Sequence, residues 1–107
     1  MAWMHLGVGF TRRKLEKTAV RVAERSLKAV WQSVQARLDH LSANEARGYI
    51  RARSIVLVNN EISAVVDARR ISDARRRHIL ECALDQVVRD VLKQRTRVRT
   101  EDRRLAA

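Results

Sequence analysis

The chain has 107 residues, no proline and three glycines, at positions 7, 9 and 48. From residue 10 onward, Gly48 is the only one of the two main structure-breaking residue types. A chain with so little punctuation forms long helices most readily. Its length fits one domain. A domain this small buries a lower fraction of its surface than a large one. Only four residues are aromatic (Trp3, Phe10, Trp31 and Tyr49), so the core must be built from valine, leucine, isoleucine and alanine.

The densest apolar run lies within residues 50–66: Ile55, Val56, Leu57 and Val58, then Ile62, Val65 and Val66. Two structures compete for it. A β-hairpin could turn at Asn59-Asn60, since β-branched residues favour strands. Neither arm of such a hairpin alternates in period two, however. Ile55, Val58, Ile62 and Val65 follow a 3-4-3 spacing that fits a helix. The helix is the preferred reading. It places Asn59 and Asn60 near the seam, where polar residues often set register.

The flanking segments divide at two capping signals. Ser42-Ala43-Asn44-Glu45 matches the S-x-x-E capping box. It ends a first helix, 11–41, and starts a second, 43–69, with almost no connection between them, which makes the two antiparallel neighbours. Thr11 is a candidate N-cap of the first helix, and His40 lies near its C-terminal end, where a protonated imidazole suits the helix dipole. In that helix Leu27, Trp31, Val34, Leu38 and Leu41 are spaced 4, 3, 4, 3, a heptad seam. Ser72 and Asp73 suit the cap and first turn of a third helix, 73–95. Its apolar face is Ile79, Leu80, Ala83, Leu84, Val87, Val88, Val91 and Leu92. The pattern stops beyond Gln94, so residues 96–107 read as a basic flexible tail. Residues 1–10 read as an apolar N-terminal arm carrying Trp3, Met4, Leu6, Val8 and Phe10.

The expected fold is therefore all-α: a three-helix bundle with an antiparallel helical hairpin. The apolar stripes are broader than a monomer of this size needs. A homo-oligomer is expected, with coiled-coil-like seams at Leu27, Trp31, Val34, Leu38, Ile55, Val58, Ile62 and Val65.

Chemistry is sparse. Three scattered glycines cannot form a phosphate-binding loop. The single cysteine, Cys82, excludes an internal disulfide. It stands four residues after His78, but two ligands do not make a metal site, and a small buried thiol beside a basic helix end explains the pair. No Ser/His/Asp arrangement can be argued. No enzyme activity, metal or cofactor is expected. Nor does any stretch approach the roughly 20 apolar residues of a membrane-spanning helix. The apolar part of the N-terminus precedes its charges, the reverse of a secretory signal, so a cytoplasmic location is expected.

Charge is the main functional signal. The chain carries 23 basic and 12 acidic residues, a net charge of +11, and 19 of the basic residues are arginine. Arginine suits bidentate contact with phosphate. An Arg-preferring genome with solvated helix faces would give a similar composition. Two clusters stand out: Arg69, Arg70, Arg75, Arg76 and Arg77 at the corner before the third helix, and Lys93, Arg95, Arg97, Arg99, Arg103 and Arg104 at its end. Both suit the phosphate backbone of DNA or RNA, with little sequence readout. Tyr49 is the one aromatic among arginines (Arg47, Arg51, Arg53), too few for a stacking single-strand binder. The expected function is binding of nucleic-acid backbone by a basic oligomeric helical subunit. The alternatives are a protein-interaction adaptor, chaperone or assembly subunit, and a peripheral binder of anionic membranes through residues 1–25.

Overall fold

A computed structural model describes residues 11–106 of the chain. The N-terminal arm expected over residues 1–10 lies outside the described residues. Three helices follow in order: α1 (Arg12–Leu38), α2 (Ala43–Val65) and α3 (Asp73–Ala106), with a single 3₁₀ turn, Ala68–Arg70, between the last two. Every pair of helices is in contact. The described residues form no strand. The apolar run at residues 55–58 lies inside α2, and Asn59-Asn60 makes no turn.

The caps follow side-chain chemistry. The Thr11 hydroxyl accepts the Lys14 amide at 3.3 Å. Ser42 and Glu45 close the expected capping box: the Ser42 amide donates to the Glu45 carboxylate at 3.0 Å and the Glu45 amide to the Ser42 hydroxyl at 3.3 Å. The Ser42 amide first, and then the Ser42 hydroxyl, hold the Glu45 carboxyl below its ordinary value. The Ser72 hydroxyl accepts the Arg75 amide at the start of α3. Two boundaries move inward. α1 ends at Leu38 rather than near 41, and α2 ends at Val65 rather than 69, because Asp67 caps the 3₁₀ turn by accepting the Arg69 amide.

The end of α3 departs most from expectation. The helix does not stop at residue 95 but runs on to Ala106. The apolar pattern thins there, yet residues 96–106 contain neither proline nor glycine. Starting a helix is unfavourable, but lengthening one adds a hydrogen bond for each residue ordered. Here the bundle has already supplied the start.

The core is aliphatic. Leu15, Val22, Val30, Val34 and Leu38 of α1 meet Ile50, Val58 and Ile62 of α2 and Ile79, Leu84, Val87 and Val91 of α3. On α2 the fully buried positions are Ala46, Ile50, Ser54, Val58 and Ile62, and Val66 continues the row. Their interval is four residues throughout, not the 3-4-3 alternation read from the sequence. Ile55, expected on the seam, faces outward. Small residues on these surfaces (Ala19, Ala23, Ser26, Ala46, Ser54, Ala83) let backbones approach. The two buried serines donate to carbonyl oxygens one turn back, Ser26 to Val22 and Ser54 to Ile50, so neither hydroxyl is left unsatisfied.

Candidate nucleic-acid interface

The arginines fall into three groups by what they touch. The first group holds the bundle together. Arg76 is half-buried and donates to the Asn59 carbonyl at 3.3 Å and the Ser63 hydroxyl at 2.9 Å, fastening α3 to α2. Arg95 donates to the Leu38 carbonyl at 3.2 Å, which also accepts the Leu41 amide at 3.2 Å, fastening α3 to the end of α1. Both were candidate phosphate contacts, and their guanidinium groups are instead engaged with backbone or side-chain oxygens of their own chain.

The second group is matched by carboxylates. Arg51 pairs with Glu81 and, at 3.3 Å, with Asp85. Arg25 pairs with Glu61 at 2.8 Å. Arg70 lies 3.7 Å from Asp67, and Arg99 lies 3.8 Å from Asp39. The last two pairs are solvent-exposed and contribute little. An open groove between α2 and α3, about 390 Å³, is lined by Arg47, Gly48, Arg51, Asp85, Val88 and Arg89. Its charge is partly cancelled by Asp85, and Arg89 donates to Gln86.

The third group faces solvent: Arg69 and Arg77 at the corner, and Lys93, Arg97, Arg103 and Arg104 along α3. Arg75 at the corner is half-buried. The two expected clusters do not form one site. Arg77 and Arg97 are 20 residues apart on one straight element, roughly 30 Å at 1.5 Å per residue. At the corner, the Ser72 hydroxyl and Asp73 already serve the N-terminus of α3.

The end of α3 is different. Arg95 meets the end of α1, and Arg99 reaches Asp39 just beyond it. Residues 96–106 are exposed at every position. They form a helical arm of 11 residues, about 16 Å long, carrying Arg97, Arg99, Arg103 and Arg104 against Glu101 and Asp102. The sequence reading found these arginines but not their helical presentation. One signal was present: Leu84, Val91, Val98 and Leu105 recur every seven residues, so the core stripe continues into the arm. There its cover falls away, from Val98, 40% exposed, to Leu105, 86% exposed.

The expected oligomer seam is used inside the chain for half of its members. Val34, Leu38, Val58 and Ile62 are buried in the protomer's own core. Leu27, Trp31 and Val65 pack partly against that core, and Ile55 is 40% exposed. Tyr49 is engaged too: the guanidinium groups of Arg37 and Arg53 lie over its ring, 5.9 and 5.6 Å from the centroid.

The Cys82 thiol lies 3.6 Å from His78 Nε2. Burial first, then Asp85, pushes the thiol's pKa above the ordinary value, which keeps it protonated and a poor nucleophile. Among the described residues no three His, Cys, Asp or Glu side chains converge as a metal site. No described helix is long and apolar enough to cross a membrane. Compared with protein-family models, with curated proteins and with solved structures, the chain matches none.

Proposed function

We propose that this protein binds the phosphate backbone of nucleic acid with little sequence preference, and that the arm of α3 is its principal contact. The observation that carries this reading is the arm itself. Eleven helical residues continue beyond the contact with α1, all of them exposed, and carry four arginines, of which Arg99 meets Asp39 and the other three pair with no carboxylate among the described residues. Such a projection presents charge to a polyanion without disturbing the fold. Arg69, Arg75 and Arg77 at the far end of the bundle are secondary contacts, too distant to share a few neighbouring phosphates with the arm.

The test is a salt titration of binding to labelled nucleic acid, read by fluorescence anisotropy. Each phosphate contact contributes about 0.9 to the log–log slope on duplex DNA. Replacing Arg97, Arg99, Arg103 and Arg104 by glutamine should flatten the slope by about 3.6 units. Replacing Arg69, Arg75 and Arg77 should change it less. An unaltered slope in the arm variant would sink the proposal.

A second reading rests on a different surface. Ile55 and Val56 of α2 are 40% and 67% exposed, beside Ala52 and Gly48, in an uncharged strip of an otherwise charged surface. This strip suits protein contact, either with another copy or with a partner protein. Concentration-dependent sedimentation, lost on replacing Val56 by lysine, would support it.

A further inference from the structure

The arm's residues are not distributed evenly around its axis. A helix turns about 100° per residue. Taking Arg95 as zero, Arg99 and Arg103 follow at about 40° and 80°, a row along one flank. Arg97 and Arg104 lie at about 200° and 180°, on the other flank. Between these flanks on one side stand Lys93, Thr96 and Thr100. On the opposite side stand Glu101, Leu105, Val98 and Asp102. Both of the arm's acids and both of its large apolar residues therefore share one sector. The two arginine flanks border a sector that holds Thr96 and Thr100, with Lys93 at its bundle end. The Thr96 and Thr100 hydroxyls donate back to the Leu92 and Thr96 carbonyls, which turns that sector's polar groups onto the helix itself.

Resting on the nucleic-acid reading above, we propose that the arm lies lengthwise in the major groove of B-form duplex DNA. Its threonine sector faces the base edges, and its two arginine flanks face the phosphates of the two walls. A helix with its side chains is about 10–12 Å across, and the B-form major groove is about 12 Å wide. The minor groove, about 6 Å wide, is too narrow for it. In A-form RNA the major groove is too deep and narrow for side chains to read. Single strands are held largely by base stacking on aromatic rings, and the arm has none. Phosphates on both walls explain arginines on both flanks. With its threonines bonded to their own backbone, the arm offers methyl groups rather than fixed donors to the bases, which fits weak sequence preference.

The experiment uses the full chain, with every ligand titrated at the same low and the same physiological salt concentration. Duplex DNA, duplex RNA and single-stranded DNA of the same sequence are compared, together with duplex DNA whose major groove is filled by glucosylated 5-hydroxymethylcytosine. Thr100→Glu and Leu105→Glu are compared alongside. They make the same charge change at exposed arm positions, one in the groove-facing sector and one in the opposite sector. Groove insertion predicts duplex DNA as the tightest ligand and about tenfold weaker binding on glucosylation. It also predicts about tenfold weaker binding for Thr100→Glu, with Leu105→Glu within about threefold of the parent. Salt-dependent binding with equal losses for the two variants, or indifference to glucosylation, overturns the groove placement and leaves backbone binding standing. Absence of salt-dependent binding to any of the four ligands overturns both.

Discussion

Replacing Gly48 by alanine should stabilise the bundle. Gly48 lies in the interior of α2, beyond the capping box that ends at Glu45, so it serves no cap. Its backbone conformation is not one that demands glycine, since no glycine of the described chain has positive φ. A Cβ built there meets nothing within 4 Å. The substitution therefore adds no clash. What remains is the intrinsic helix preference of alanine over glycine, worth about 0.5–1 kcal/mol. Part of that gain comes from restricting the unfolded chain. For a domain of this size each kcal/mol moves Tm by about 4–8 °C, so the expected rise is about 2–8 °C. Urea melts followed by circular dichroism should give a higher midpoint with an unchanged m-value. A loss of stability would refute the reasoning. It would mean that something occupies the space above Gly48 in solution, such as a second copy seated on the strip formed with Ala52 and Val56.

Arg76 and Arg77 are neighbours in sequence with different environments, so alanine substitutions should separate them. Arg76→Ala removes two interhelical hydrogen bonds and should cost about 1–2 kcal/mol in chemical denaturation, whereas exposed Arg77→Ala should stay within about 0.5 kcal/mol. Glu45 gives a pH signature. Its carboxyl is held below the usual range by the Ser42 amide, so its capping contribution is present above about pH 4, the ordinary carboxylate value, and is lost as pH falls through the lowered value. Acid melts of Glu45→Gln should lack that component, because glutamine can keep the capping bond but does not titrate.

Much of the architecture is legible in the chain because it depends on local chemistry. Ser42 with Glu45, and Ser72 alone, satisfy amides within three residues of themselves, so their sequence alone marks two helix starts. The absence of proline and the scarcity of glycine favour helix throughout, including residues 55–66, where β-branched residues argued otherwise.

Other outcomes depended on partners distant in sequence. Helix periodicity shows that α2 has an apolar side, but not which of its apolar residues its neighbours cover. Packing against α1 and α3 selected Ala46, Ile50, Ser54, Val58 and Ile62 as the buried row and left Ile55 outside. Arginine is equally at home on phosphate, on carboxylate and on a helix-end carbonyl. Only the placement of Leu38 beside Arg95, and of Asn59 and Ser63 beside Arg76, decides which one each takes. The helical state of residues 96–106 is likewise a tertiary outcome. Their own composition is too polar to found a helix, but α3 is already formed when it reaches them, and each further residue needs only one more turn of hydrogen bonds.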